Sequence, residues 1–259
     1  MLFDLGDLAW YVPVLLAGAA FLAGFVDAVV GGGGLIQLPA LLMVPGLSPV
    51  MAVATSKIGS ISGTVTSAIT YYRRLRPDLR VALPMAVLAF AGSYGGAIVA
   101  KLLPTNVFTP IILVALVAVL LFTIFRPQIG SGTGEKLGLR TVLMRCLPFG
   151  ALVGFYDGVI GPGTGSFLVL GIAAFAHFTL LEASASAKII NTATNLGALA
   201  FFIPQGLVVW PVAILIGVAN MLGGHLGART AVKLGNGFVR IVLIVVVTAL
   251  IVKLGLDLL

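Results

Sequence analysis

Two aspartates and two lysines recur in this chain at one spacing, inside sequence that is otherwise apolar. Carboxylates and ammonium groups in such surroundings hold ions, pair with each other or pass protons. Asp27 returns as Asp157 and Lys57 as Lys188, 130 and 131 positions on. The surroundings return with them. Gly24-Phe25-Val26-Asp27-Ala28-Val29-Val30-Gly31-Gly32-Gly33-Gly34 is echoed by Gly154-Phe155-Tyr156-Asp157-Gly158-Val159-Ile160-Gly161-Pro162-Gly163-Thr164, identical at six of eleven sites. Ala54-Thr55-Ser56-Lys57-Ile58 is echoed by Ala185-Ser186-Ala187-Lys188-Ile189, and Gly92xxxGly96 by Gly223xxxGly227. Three matches in one order mean an internal duplication, and a duplicated acid–base pair in apolar segments is expected at a transport site.

The neighbours of the lysines sharpen the chemistry. Lys57, Ser60 and Thr64 follow one another at helical spacings of three and four and share a face; their counterparts are Lys188, Asn191 and Asn195. Two such faces, each with an ammonium and neutral hydrogen-bonding groups, suit a small oxyanion. Gly32 and Gly33 in the first cluster, with Gly163 and Thr164 in the second, could add backbone amides at half-helix N-termini, where the helix dipole favours negative charge. Asp27 and Asp157 are candidates for gating or proton coupling, because burial opposes a carboxylate's charge and a nearby cation favours it. A plainer reading makes the aspartates and lysines two structural ion pairs, and both readings can hold at once. His225 breaks the repeat symmetry; it is either a bonded packing residue or a proton relay. Neither glycine cluster has the spacing or the lysine of a nucleotide-binding loop.

The elements that position these residues must lie in a membrane. Hydrophobic residues make up 60% of the 259, charged residues 9%, and the mean hydropathy is +1.19, too apolar for a soluble surface. Apolar runs of about twenty residues fit spanning helices and lack the alternation of barrel strands. Five segments are expected per half: 10–30, 35–44, 49–71, 79–103 and 107–125, then 141–160, 166–178, 181–203, 208–232 and 238–258. The second of each set is too short to cross and should form a hairpin with the first, bent at the glycines. This gives one structural unit with a first repeat at 1–126, a cytoplasmic linker at 127–140 and a second repeat at 141–259.

Charge sets the sidedness. Arg73, Arg74, Arg76 and Arg80 crowd one connection and Arg126, Lys136, Arg140 and Arg145 another, so both should be cytoplasmic. An odd number of segments between equivalent points then makes the repeats inverted, with the N-terminus outside. The N-terminus has Asp4 and Asp7 and no basic residue before Lys57, so it lacks the basic start of a cleaved signal peptide and should be retained. The net charge of +7 lies in connections instead of a stripe, which argues against nucleic acid. Cys146, the single cysteine, is expected to pack. Two isolated histidines and one cysteine supply neither a metal centre nor a nucleophile, so no metal, cofactor or catalytic residue is expected. Ser48-Pro49 and the Thr179–Glu182 capping box should open the lysine helices.

The motif at 24–34, the Pro39 and Pro45 that follow it, Ala54-Thr55-Ser56-Lys57 and Tyr71-Tyr72-Arg73-Arg74 resemble the TauE/SafE family of sulfite and sulfonate exporters. The second copy, 154–165 with Lys188 and Asn191, resembles it too. The resemblance covers essentially the whole chain and implies a prokaryotic inner-membrane exporter of sulfite, sulfoacetate or related organosulfur anions. Pro162 and Thr164 replace two glycines of the first copy, so the bends need not be equal in function. The expected partners are a small anionic substrate and the lipid bilayer; a homodimer is compatible with the sequence. A passive anion channel stays open as the alternative, and a membrane-embedded enzyme is the remoter one.

Overall fold

The computed structural model describes residues 9–104 and 137–257. Within them eight helices follow in chain order: α1 Tyr11–Val30, α2 Gly34–Leu42, α3 Pro49–Leu75, α4 Leu79–Leu102, α5 Leu139–Val159, α6 Thr164–Ala176, α7 Leu180–Phe202 and α8 Trp210–Asp257. Helix α8 is broken at Gly235, whose φ of 75° and ψ of −165° are non-helical, which divides it where the sequence separates 208–232 from 238–258. The expected segment at 107–125 lies outside the described residues, as do Asp4, Asp7, Arg126, Lys136 and most of the linker at 127–140.

The helix starts follow from local chemistry. Ser48 Oγ accepts from the Met51 N–H with Pro49 in the first turn of α3. Thr179 Oγ1 accepts from the Glu182 N–H while the Glu182 carboxylate accepts from the Thr179 N–H, closing the expected capping box of α7. Asp78 caps α4 and is gripped by the Arg80 guanidinium at 2.9 and 3.0 Å. Those hydrogen bonds hold its carboxyl below the usual carboxylate range.

One boundary differs from the sequence reading by a full helical turn, the others by one or two residues. That reading ended the third segment at Tyr71 and grouped Tyr71 with the cytoplasmic arginines. Helix α3 instead runs on to Leu75, and Tyr71 is fully buried. A run of Tyr-Tyr-Arg-Arg has nothing to break a helix, and the terminus falls at Arg76, which adopts a left-handed φ of 48° before Pro77.

The polarity is that of a bilayer protein. Leu15, Leu22, Val87, Ile214, Val218 and Ile241 are exposed on the outer helices, whereas Gln37, Lys57, Asp157, Lys188, Asn195 and Asn220 are buried. Helices α1, α4, α5 and the first part of α8 are long and apolar enough to cross a membrane. Helices α3 and α7, at 27 and 23 residues, are long enough but too polar to qualify on hydropathy. Their place explains this: they pack on each other and on α8 and α4 respectively, which buries most of their polar side chains in protein. Polar side chains survive there because they face partners.

The two halves interlock. Hairpin α1–α2 packs through α1 on α8, and hairpin α5–α6 through α5 on α4, so each hairpin leans on a long helix of the opposite half. The duplicated glycine pairs make these contacts. A Cβ on Gly92 or Gly96 would fall on the Ala151 or Phe155 carbonyl of α5, and one on Gly223 or Gly227 on the Phe21 or Phe25 carbonyl of α1. Only glycine lets the backbones approach so closely.

Candidate functional site

Helices α2 and α6 have 9 and 13 residues, about 14 and 20 Å at 1.5 Å per residue, well short of the hydrocarbon thickness. Both hairpins therefore bend inside the protein, and their tips meet. The Ser166 N–H donates to the Gly31 carbonyl at 3.1 Å, and Ser166 Oγ donates to the Val30 carbonyl at 2.8 Å. Gly31 closes α1 with a φ of 79°.

A helix that ends away from water leaves carbonyls that must find donors. At the end of α1 each finds one on a different helix. The Tyr71 hydroxyl of α3 donates to Ala28 at 2.9 Å, Ser184 of α7 to Val29 at 3.1 Å, and Ser166 of α6 to Val30. Tyr71→Phe and Ser184→Ala should each cost about 1–3 kcal/mol, the penalty for stranding a buried acceptor. The measurement is the midpoint of thermal unfolding in detergent; unchanged midpoints in both variants would show that these carbonyls lack the donors described.

Beside the joined tips, each lysine meets an aspartate, and always one from the other half. Lys57 Nζ lies 2.8 Å from Asp157 Oδ2, and Lys188 Nζ lies 2.8 Å from Asp27 Oδ2. The side chains are 3% and 4% exposed in the first pair and 0% and 13% in the second. The pairs differ in detail. Lys188 donates directly to the Asp27 carboxylate, whereas Lys57 sends its hydrogen bond to the Asp157 main-chain carbonyl at 2.6 Å, leaving Oδ2 as a charge contact with no aligned donor. The equivalent carbonyl, that of Asp27, is already taken by the Gly31 N–H at 2.8 Å.

These groups surround a cavity of about 20 Å³, room for one water molecule. Asp27, Lys57, Ser60, Asp157, Thr164, Asn191 and Asn195 line it, so most of the polar residues singled out from the sequence meet at one place. Lys188 reaches it through Asp27. The bends contribute Gly31, Gly34, Gly161 and Gly165 instead of the expected Gly32, Gly33 and Gly163. In the second bend the Thr164 and Ser166 amides are taken by the Gly161 and Gly31 carbonyls, which leaves fewer free donors than the sequence promised. Thr64 is buried but does not line the cavity, its hydroxyl being turned back to the Ile61 carbonyl at 3.2 Å. His225 also lies apart, against Thr70 Oγ1 at 3.4 Å.

Sequence reasoning passed over Gln37 and Asn220. Gln37 Nε2 donates to the Ser56 carbonyl at 2.8 Å, one residue before Lys57, and its Oε1 accepts from Asn220. This amide relay ties α2 and α8 to the lysine turn of α3. The signal was present in the sequence, since an amide inside an apolar run needs a partner.

A larger cavity of about 560 Å³ opens where the C-terminal end of α3, including Arg76, meets Arg80 of α4, Leu139 of α5, His177 after α6, and Thr179 and Ser186 of α7. On α7 its lining stops at Ser186 and that of the central cavity starts at Asn191, so Lys188 falls between the two in sequence. Among the described residues no group of three or more histidine, cysteine, aspartate or glutamate side chains is placed to hold a metal.

Helices of spanning length around a buried polar core make this a multi-pass membrane protein. The chain belongs to the TauE/SafE family: the family described as sulfite exporter TauE/SafE matches residues 16–254. It is 37% identical over 251 residues to the probable membrane transporter protein ORF9 of Sinorhizobium sp, covering 97% of this chain and 95% of that one. It is 33% identical over 254 residues to the probable membrane transporter protein YfcA of Escherichia coli K12, covering 95% and 92%. A probable membrane transporter protein of Haemophilus influenzae is 32% identical over 255 residues, covering 97% of each. No solved structure matches the chain.

Proposed function

We propose that this protein is a secondary transporter that exports small sulfur-containing anions such as sulfite, sulfoacetate or related organosulfonates across a prokaryotic inner membrane. The observation that carries the reading is the pair of buried ammonium groups, from equivalent places on α3 and α7, tied to carboxylates of the opposite halves around one cavity. Lys57 and Lys188 attract the anion, and Ser60, Asn191, Asn195 and Thr164 orient its oxygens by hydrogen bonds. Thr64 and His225 support the helices instead.

The repeats are read as inverted. In support, the C-terminal end of α3 and the N-terminal end of its counterpart α7 line one and the same cavity, as expected of helices that run in opposite directions. That cavity carries Arg76 and Arg80, so it faces the cytoplasm by the positive-inside rule and puts the N-terminus outside. An inside-negative potential itself favours anion exit by ~2.3 kcal/mol per charge per 100 mV. A cavity the size of one water admits no sulfonate until the helices separate, as expected of a carrier.

The test is a thermal-shift screen of purified protein against sulfite, sulfoacetate, taurine, thiosulfate and sulfate, followed by flux of the stabilising anion in liposomes. Saturable flux, accelerated by the same anion on the far side, is expected. Ohmic conductance far above carrier turnover would replace the carrier with a channel.

A further inference from the structure

We infer that this protein moves a proton together with its anion, and that Asp27 is the residue that takes it up; this rests on the transport reading above. The cavity and its two ion pairs hold two carboxylates and two ammonium groups, so their formal charges cancel. An anion entering such a place adds a negative charge with no partner, in a space that accommodates about one water molecule. Balance is restored when one carboxylate takes up one proton as the anion arrives.

The two carboxylates are not equivalent in that role. Neutralising Asp157 leaves Lys57 still bonded to the Asp157 carbonyl at 2.6 Å. Neutralising Asp27 removes the one acceptor that Lys188 has among the described residues, and the released ammonium lies on the same helical face as Asn191 and Asn195. Asp27 is also the more accessible of the two, with its side chain 13% exposed against 4%.

The titratable groups around this place are few. Lys188 comes from α7, Lys57 and Tyr71 from α3, and Asp157 and Tyr156 from α5. Tyr71 donates its hydroxyl to Ala28, next to Asp27, and Tyr156 donates to the Pro162 carbonyl. Helices α2 and α6 carry none. On α8, His225 bonds Thr70, while Arg229 and Lys233 are exposed; on α4, Arg80 and Lys101 are exposed.

The cycle follows. On one side of the membrane the Asp27 carboxylate accepts a proton and becomes a carboxylic acid, and the Lys188 ammonium passes from it to the anion. On the other side the acid gives up its proton, the Lys188–Asp27 pair forms again, and the anion is displaced. Proton and anion travel in the same direction, so a monoanion moves without net charge and its exit follows its own gradient, whereas a dianion carries one net negative charge, whose exit the inside-negative potential favours.

Proton uptake by purified protein in weak buffer, read with a pH indicator during titration with sulfoacetate and with methanesulfonate, tests this. Neither probe exchanges protons near neutral pH. Wild type should take up one proton per anion bound, and its affinity should fall about tenfold per pH unit on the alkaline side. Asp27→Asn should bind the anion with no uptake and no pH dependence, while Asp27→Glu should keep the uptake. If wild type binds anion without taking up a proton, or if uptake persists in Asp27→Asn, the inference is overturned and the transport reading stands. If wild type neither binds nor moves either probe, the transport reading fails and this inference falls with it.

Discussion

Lys57→Met and Lys188→Met should each abolish anion flux in liposomes while the protein still inserts and remains helical. A charge-assisted hydrogen bond to an anion is worth about 1.5–3 kcal/mol, which corresponds to roughly 10- to 150-fold in affinity, and removal of the cation also strips the anion of its counter-charge. The variants should be destabilised as well. Each leaves a carboxylate without its partner, and breaking a buried pair from one side costs about 3–5 kcal/mol. Methionine preserves most of the stem's packing, so the loss reports on charge. The two effects separate in a double variant. Asp27→Asn combined with Lys188→Met removes both charges and should recover much of the unfolding midpoint without recovering flux. If flux instead survives in both lysine variants with a wild-type dependence on anion concentration, the ammonium groups are structural pins and the anion passes elsewhere.

Gly31→Ala should yield little or no folded protein. The residue has a φ of 79°, and its added Cβ would fall on the backbone of Gly165 and Ser166, the tip of the other hairpin. Neither side can give way. Gly165 is packed equally tightly against Gly31, and the contact also carries the Ser166 N–H to Gly31 carbonyl hydrogen bond. A backbone-on-backbone clash of this kind belongs with the rare substitutions that cost more than about 4–5 kcal/mol. Gly95→Ala in α4 is the control, since nothing lies within 4 Å of the added atom; it should stabilise the helix by about 0.5–1 kcal/mol. The readout is the monodisperse fraction on size exclusion together with the unfolding midpoint. A well-folded Gly31→Ala variant would mean that the two hairpin tips do not touch.

The candidate site was largely legible in the chain because membranes make it so. A charge inside an apolar run is costly enough to stand out, and the duplication told Asp27, Lys57, Asp157 and Lys188 apart from accidents. The caps of α3 and α7 were equally visible, since Ser48-Pro49 and Thr179 to Glu182 act through neighbours three residues away. Local periodicity also placed Ser60, Asn191 and Asn195 on the lysine faces. It placed Thr64 there too, but a hydroxyl on a helix can turn back to its own backbone, as this one does, and periodicity cannot tell which.

What the sequence determined by itself, then, is the set of helices among the described residues, their short bent arms and the identities of the charged groups. It could not say which lysine meets which aspartate, because a pairing within one half fits the spacing as well as a pairing across. Tertiary structure decided that each hairpin inserts against the long helices of the opposite half, which crosses both ion pairs and brings the two bends tip to tip. It also decided that hydroxyls from Tyr71, Ser184 and Ser166, three residues remote in sequence, close the buried end of α1. The reason is the same in each case: a buried charge or carbonyl requires a partner, and the chain's local pattern fixes that requirement while only the packing of distant helices supplies the group that meets it.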